Sequence, residues 1–379
     1  MNSDEIIARF SIAMDEAMAA YHANKDIIFK NGALANKFRY DPKYMKSLSW
    51  DNYNTCIYKG CNEKAIQASH TIQKSTSLLS ISENKHVLSP SFDYRIENFI
   101  LSPVGVNSAS TFPGFCSRHE QIFRKFEDKK EFINEQDFRL QIYRTICREI
   151  IENKRSLASA LYRNDQYIRF RDDTLNELIK KEIVNQQIDL KNLKSLSHKY
   201  NDNKVRYFAN YIKSSEAYLK TLDKLHDAVF NDISKGKVQK IFFEAINIDW
   251  VIPCCLAGRG GIVIKTKSKT LMVDLILNVL PYENKTYLIL ATHHKHKTHL
   301  KKYVNRYKHH PLAMVTMVES WMLYGSDHWF LKPAVWNNLD KEVQKELIHE
   351  IFSEKNINAI PPHFIFNDLR LELKKLLEI

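Results

Sequence analysis

A chain of 379 residues, 44% apolar and 26% charged, has enough apolar material to bury a sizeable core and suggests two or three domains. Its formal net charge of +12 favours polyanionic partners, nucleic acid first among them, without dictating a fold. The longest apolar runs, such as 271–281, contain Asp274 and Asn278 and are too short to span a bilayer, so no membrane partner is expected.

In chain order, 4–24 predicts an amphipathic helix with Ile6, Ile7, Phe10, Ile12, Met14 and Met18 on its apolar face. Acidic groups stand where a secretory signal would be basic, and a cytoplasmic setting, where thiols stay reduced, is expected. The six cysteines then read as metal ligands and buried thiols, not disulfides. An aromatic-rich stretch (Phe38, Tyr40, Tyr44, Trp50) completes an N-terminal segment, 1–50.

Residues 51–130 form the next unit. Cys56 and Cys61 in CIYKGC, then Cys116 and His119 in GFCSRHEQIF, are two soft-ligand pairs separated by a long insert, as a tetrahedral zinc site requires. The apolar run after the second pair (Ile122, Phe123, Phe126) places Cys116 and His119 on the first turn of a helix. Strand-like pieces lie near 86–88 and 95–101. A knuckle, strands and a ligand-bearing helix make a treble clef. His70 could replace one of the four ligands.

The region 131–235 reads as helical. Asn134 caps a helix to Lys154, and two long apolar periodicities follow, Leu175 to Leu193 and Phe208 to Val229. The turn signal Asn201-Asp202-Asn203 between them predicts a helical hairpin, suited to a spacer or a homo-oligomer contact. From 236 to 379, strands are expected around 246–250, 260–265, 271–280 and 286–291, the last two joined at Pro281–Lys285. Helices follow at 295–308, 312–323, 339–353 and 366–378. The fold class is therefore α+β, mostly helical, with a small antiparallel sheet. Gly258-Arg259-Gly260-Gly261 reads as a tight turn, and Cys147, Cys254 and Cys255 as buried neutral thiols. Asp274, Glu283 and Lys285 follow the acidic-acidic-lysine order of restriction-type nucleases, but the last two sit in a turn and the order is read as coincidence.

The segment ATHHKHKTHLKKYVNRYKHH carries Lys295, Lys297, Lys301, Lys302, Arg306 and Lys308 among six histidines. On a helix it offers a cationic surface that tracks a phosphate backbone, with Tyr303 and Tyr307 placed to stack on bases.

Residues 56–123 resemble the zinc-containing HNH-type (ββα-metal) nuclease modules. The resemblance implies structural zinc on Cys56, Cys61, Cys116 and His119, a general base at His70, and a catalytic Mg2+ or Mn2+ held with help from Glu120. Ser69 stands where the family has Asp or His, Glu120 where it has histidine, and either Asn98 or Asn107 could take the place of its middle asparagine. FCSRHEQIF and EQDFRLQIYRTICREI are also similar to bacterial zinc-finger proteins, some of which belong to defence against phage; this likeness covers about 53–155. Two functions follow: a metal-dependent endonuclease acting on DNA or RNA in a bacterial cell, or a non-catalytic zinc-stabilised module that binds nucleic acid or a protein partner.

Overall fold

The computed structural model describes residues 49–93, 98–184, 203–235, 239–265, 270–351, 353 and 355–377, with positions 8, 9, 11, 12 and 16 near the start. The expected helix over 4–24 and the turn at 201–203 lie almost wholly outside these residues. The chain forms two compact units: residues 1–52 with 153–220, and residues 53–152 with 221–379. Both candidate sites fall in the second, so the regions expected as separate units at 51–130 and 236–379 share one body from residue 53 on.

The chain is α+β. In the second unit a short pair, β1 (Ser69–His70) with β4 (Thr111–Phe112), accompanies a seven-stranded antiparallel sheet ordered β3-β2-β9-β6-β7-β8-β5. Its strands are β2 (His86–Asp93), β3 (Asn98–Gly105), β5 (Ile241–Ile248), β6 (Cys254–Lys265), β7 (Thr270–Tyr282), β8 (Lys285–His293) and β9 (Trp329–Leu331). The sheet is larger than expected because the strand-like pieces near 86 and 98 join it. β9 is the seam, with Leu331 paired to Leu88 on one side and to Cys254 on the other. The β7–β8 hairpin closes through Glu283 and Asn284, with Glu283 at φ +55°.

The helices are α1 (Ser117–Glu120), α2 (Arg124–Lys129), α3 (Glu135–Val184), α4 (Asn203–Lys235), α5 (Lys297–Asn305), α6 (Pro311–Tyr324), α7 (Pro333–Asn337), α8 (Lys341–Glu350) and α9 (Asn367–Leu376). The helix expected to end at Lys154 runs on to Val184 and takes in the start of the periodicity expected from Leu175; residues 185–193 of that periodicity lie outside the described residues. No glycine or proline interrupts 135–184, and nothing else in that stretch ends a helix. Asn134 caps it as expected: its Oδ1 accepts from the Gln136 and Asp137 backbone N–H groups at 2.9 and 3.2 Å. Asp137 Oδ2 answers by accepting from the Asn134 N–H at 3.3 Å, a reciprocal cap.

From Leu275 to Tyr282, β7 is buried on both faces. Val273, Leu275, Leu277 and Val279 meet Leu300, Val304, Val315, Trp321 and Leu373 from α5, α6 and α9 in one core. On the opposite face, Gln141 of α3 donates to Asn278 Oδ1 at 2.9 Å and Thr145 does so at 2.7 Å. A near-continuous apolar run such as LMVDLILNVL is what a strand covered on both faces needs. The Gly258–Gly261 stretch is not a turn; it lies within β6. A Cβ on Gly260 would stand 2.8 Å from the Trp321 ring, and one on Gly258 would overlap Ser326. These glycines let helix and loop approach the strand closely. Cys147, Cys254 and Cys255 are fully buried, and burial pushes their thiols well up, as expected of inert thiols.

Candidate metal centre

The knuckle begins with the Cys56 backbone N–H donating to the Glu63 carbonyl at 2.9 Å, inside a Thr55–Lys64 bridge. The Cys61 N–H donates to the Tyr58 carbonyl at 3.0 Å, and Gly60 turns the tip at φ +81°, a left-handed conformation that glycine adopts without strain. Two further backbone bonds, Ile57 N–H to Gly114 and Ile66 N–H to Phe115, draw the second ligand pair alongside. Cys116 is the N-cap of α1 and His119 lies in its single turn.

The ligand atoms of Cys56, Cys61, Cys116 and His119 all lie within 4.8 Å of one another. His119 Nδ1 is 3.4 Å from Cys56 Sγ and 3.3 Å from Cys116 Sγ, and the Cys61 and Cys116 sulfurs are 3.9 Å apart. A tetrahedral ion about 2.3 Å from sulfur and about 2.0 Å from nitrogen requires edges of roughly 3.8 and 3.5 Å. Those three edges are close to that size, so this donor set could hold a metal ion, and three thiols with one imidazole suit zinc. Burial pushes the Cys56 thiol up to about 12, while the backbone N–H groups of Cys116 and Tyr58 pull the other way. The Glu63 N–H holds the Cys61 thiol below its ordinary value. Amides aimed at sulfur and a dication both favour thiolate, so ion binding would release protons here.

His70 does not join this cluster. It sits on β1, paired with Thr111, half-buried, and its ring N–H donates to the Ala68 carbonyl. Its Nε2 is buried without a partner. Desolvation first, then the Arg144 and Lys74 charges, holds the imidazole below its ordinary pKa, so it is neutral with a free lone pair. Glu120 bonds Arg144 of α3, whose other nitrogen reaches Glu127 at 2.5 Å, and Glu120 Oε2 remains buried and unpartnered. A guanidinium thus occupies one oxygen of the expected metal-ligand carboxylate. Among the described residues His70 and Glu120 belong to no group of three candidate ligands. Of the two candidate asparagines, Asn107 lies on this side, accepting from Lys74 at 3.3 Å; Asn98 pairs with Asp93 at the far end of the β2–β3 hairpin.

The basic segment forms a short turn and then α5. Lys295, Lys301, Lys302, Arg306 and Lys308 are exposed and Lys297 half-exposed, and among the described residues none pairs with a carboxylate. Lys297 and Lys301 stand over the Phe242 ring at 5.0 and 5.5 Å. Arg306 reaches Asn358 Oδ1 at 3.3 Å. The expected base-stacking role of Tyr303 is overturned. That ring is buried, its hydroxyl accepting from Trp321 Nε1 at 2.9 Å, because position 303 falls on the same helix stripe as Leu300 and Val304. Tyr307 is half-buried behind it, 5.1 Å away. In the supposed acidic-acidic-lysine set, Asp274 pairs with Arg259, Glu283 forms the hairpin turn and Lys285 bonds Glu131 at 3.0 Å.

Sequence reasoning missed what surrounds the Cys/His cluster. Tyr58 stacks on His119 with centroids 3.9 Å apart and planes 10° apart, and Lys59 bonds Asp227 of α4 at 2.8 Å. The one local signal was an aromatic and a cation side by side at the tip of a cysteine knuckle. Comparison with protein-family models, curated proteins and solved structures finds no match to this chain.

Proposed function

We propose that this chain is a zinc-stabilised protein that binds the phosphate backbone of nucleic acid through the basic face of residues 295–308. The supporting observation is six neighbouring Lys and Arg side chains with no carboxylate to neutralise them among the described residues, in a chain of net charge +12. An uncompensated row of this kind releases counterions on meeting a polyphosphate, so affinity falls steeply with salt. Structural zinc on Cys56, Cys61, Cys116 and His119 holds the knuckle in place. The likeness read from residues 53–155 of the sequence extends the reading to a cytoplasmic bacterial protein of phage defence, and the hairpin expected around residues 201–203 would then serve self-association.

The test is retention of duplex DNA and of structured RNA across a salt series, with wild type and a Lys301→Gln, Lys302→Gln, Arg306→Gln triple variant. Wild type is expected to bind at low salt, and the variant's slope of log affinity against log salt to fall by about one for each phosphate it no longer neutralises. No retention at low salt, or an unchanged slope, would sink the reading and leave a protein partner as the better one.

A second reading, metal-dependent phosphodiester hydrolysis, is favoured by the unpartnered Nε2 of a neutral His70. There His70 would take the proton of an attacking water, and Glu120 would help to hold a Mg2+ or Mn2+ supplying charge for the leaving oxygen. Plasmid cleavage that needs the added ion and vanishes in His70→Ala supports it; the Arg144 contact to Glu120 weighs against it.

A further inference from the structure

We infer that ion binding at the Cys56–Cys61–Cys116–His119 centre and the seating of the last turns of α4 are one linked event, the centre acting as a metal-dependent clasp on that helix. The inference rests on reading the centre as a metal site.

The loop between the two knuckle cysteines is the surface that α4 touches. The Ile57 carbonyl accepts from the His226 ring, whose Nε2 lies 3.2 Å from the Tyr143 hydroxyl. Lys59 bonds Asp227 at 2.8 Å. Tyr58 sits between ligand and helix, stacked on His119 and set edge-on to Phe230 at 5.1 Å. Its edge also meets Tyr143 at 6.3 Å, and the His226 and Phe230 rings stack at 6.3 Å. An ion drawing His119 Nδ1 towards the thiolates fixes the imidazole plane on which Tyr58 lies. Tyr58 then presents a formed surface to residues 226–230. By reciprocity, whatever the ion contributes to seating the helix, the helix returns as affinity for the ion. Residues that orient ligands in this way typically change metal affinity by about 10- to 100-fold when altered.

The experiment uses the full chain. Zinc affinity is measured by competition with a chromophoric chelator, and hydrogen exchange of residues 221–235 is followed with zinc and with chelator, the β6–β7 strands serving as the internal reference. The expected result is one zinc per chain and exchange of 221–235 at least about tenfold faster without it, while β6–β7 protection holds. Tyr58→Ala is expected to weaken zinc about tenfold. Lys59→Glu should weaken it less, with recovery when Asp227→Lys is added. Zinc binding with unchanged exchange of 221–235, and wild-type affinity in both variants, would overturn the clasp while leaving the metal centre intact. Loss of protection from helix and sheet alike would also overturn it, in favour of an ion that holds the whole unit. A wild-type chain that binds no zinc would fail the metal reading itself.

Discussion

Gly60 can be tested apart from any contact. A Cβ there would meet nothing within 4 Å, so the effect of Gly60→Ala lies in the backbone alone, at φ +81°. The variant is expected to lose about 1 kcal/mol, the usual cost of a left-handed alanine, read as a lower Tm with zinc present and weaker zinc uptake. The clustering of Cys56, Cys61, Cys116 and His119 was legible because each pair is local: a few residues of sequence are enough to bring two candidate donors together. Their surroundings were not. The Tyr58–His119 stack and the Lys59–Asp227 bond join positions far apart in the chain, and no periodicity records them. Arg144 was hidden for the same reason, its pairing with Glu120 and Glu127 requiring α3 to pack beside α1 and α2.

Helix α5 presents basic side chains outward and Leu300, Tyr303 and Val304 inward. If the outer face alone meets nucleic acid, Tyr303→Phe should leave retention and its salt dependence unchanged. It should lower stability by about 1 kcal/mol through the unpaired Trp321 N–H, read by denaturant titration. The C-terminal helices and the β7–β8 hairpin were readable from apolar period and turn residues. Two elements were not, for different reasons. Glycine marks both a turn and a close approach, so the run inside β6 looked like the former. α3 looked like separate helices because its apolar pattern thins out towards the middle, while backbone propensity carries it through.

Across the second unit, several histidines are held below their ordinary pKa mainly by burial, among them His70, His226 and, most strongly, His328. His328 is buried, with Nδ1 donating to the Ala257 carbonyl at 2.7 Å. The unfolded chain takes up a proton near pH 6.5 that the folded chain refuses until a much lower pH. Between those values the unfolded state binds more protons, so stability falls as pH falls, by up to about 1.4 kcal/mol per pH unit for each such group. Thermal melts from about pH 7.5 to about pH 5.5 should show a falling Tm, with a shallower slope in His328→Gln. An unchanged slope would place the buried imidazole outside the acid response.

The seam strand also bears on how the molecule is made. Among the described strands, Trp329–Leu331 alone bridges the β2–β3 hairpin to β6, and it is the last strand of the sheet to leave the ribosome. The β2 edge, assembled early in synthesis, therefore waits unpaired through the translation of everything between Leu88 and Leu331. Nascent chains halted before residue 329 would carry that open edge and recruit holding chaperones, whereas chains released beyond it would shed them.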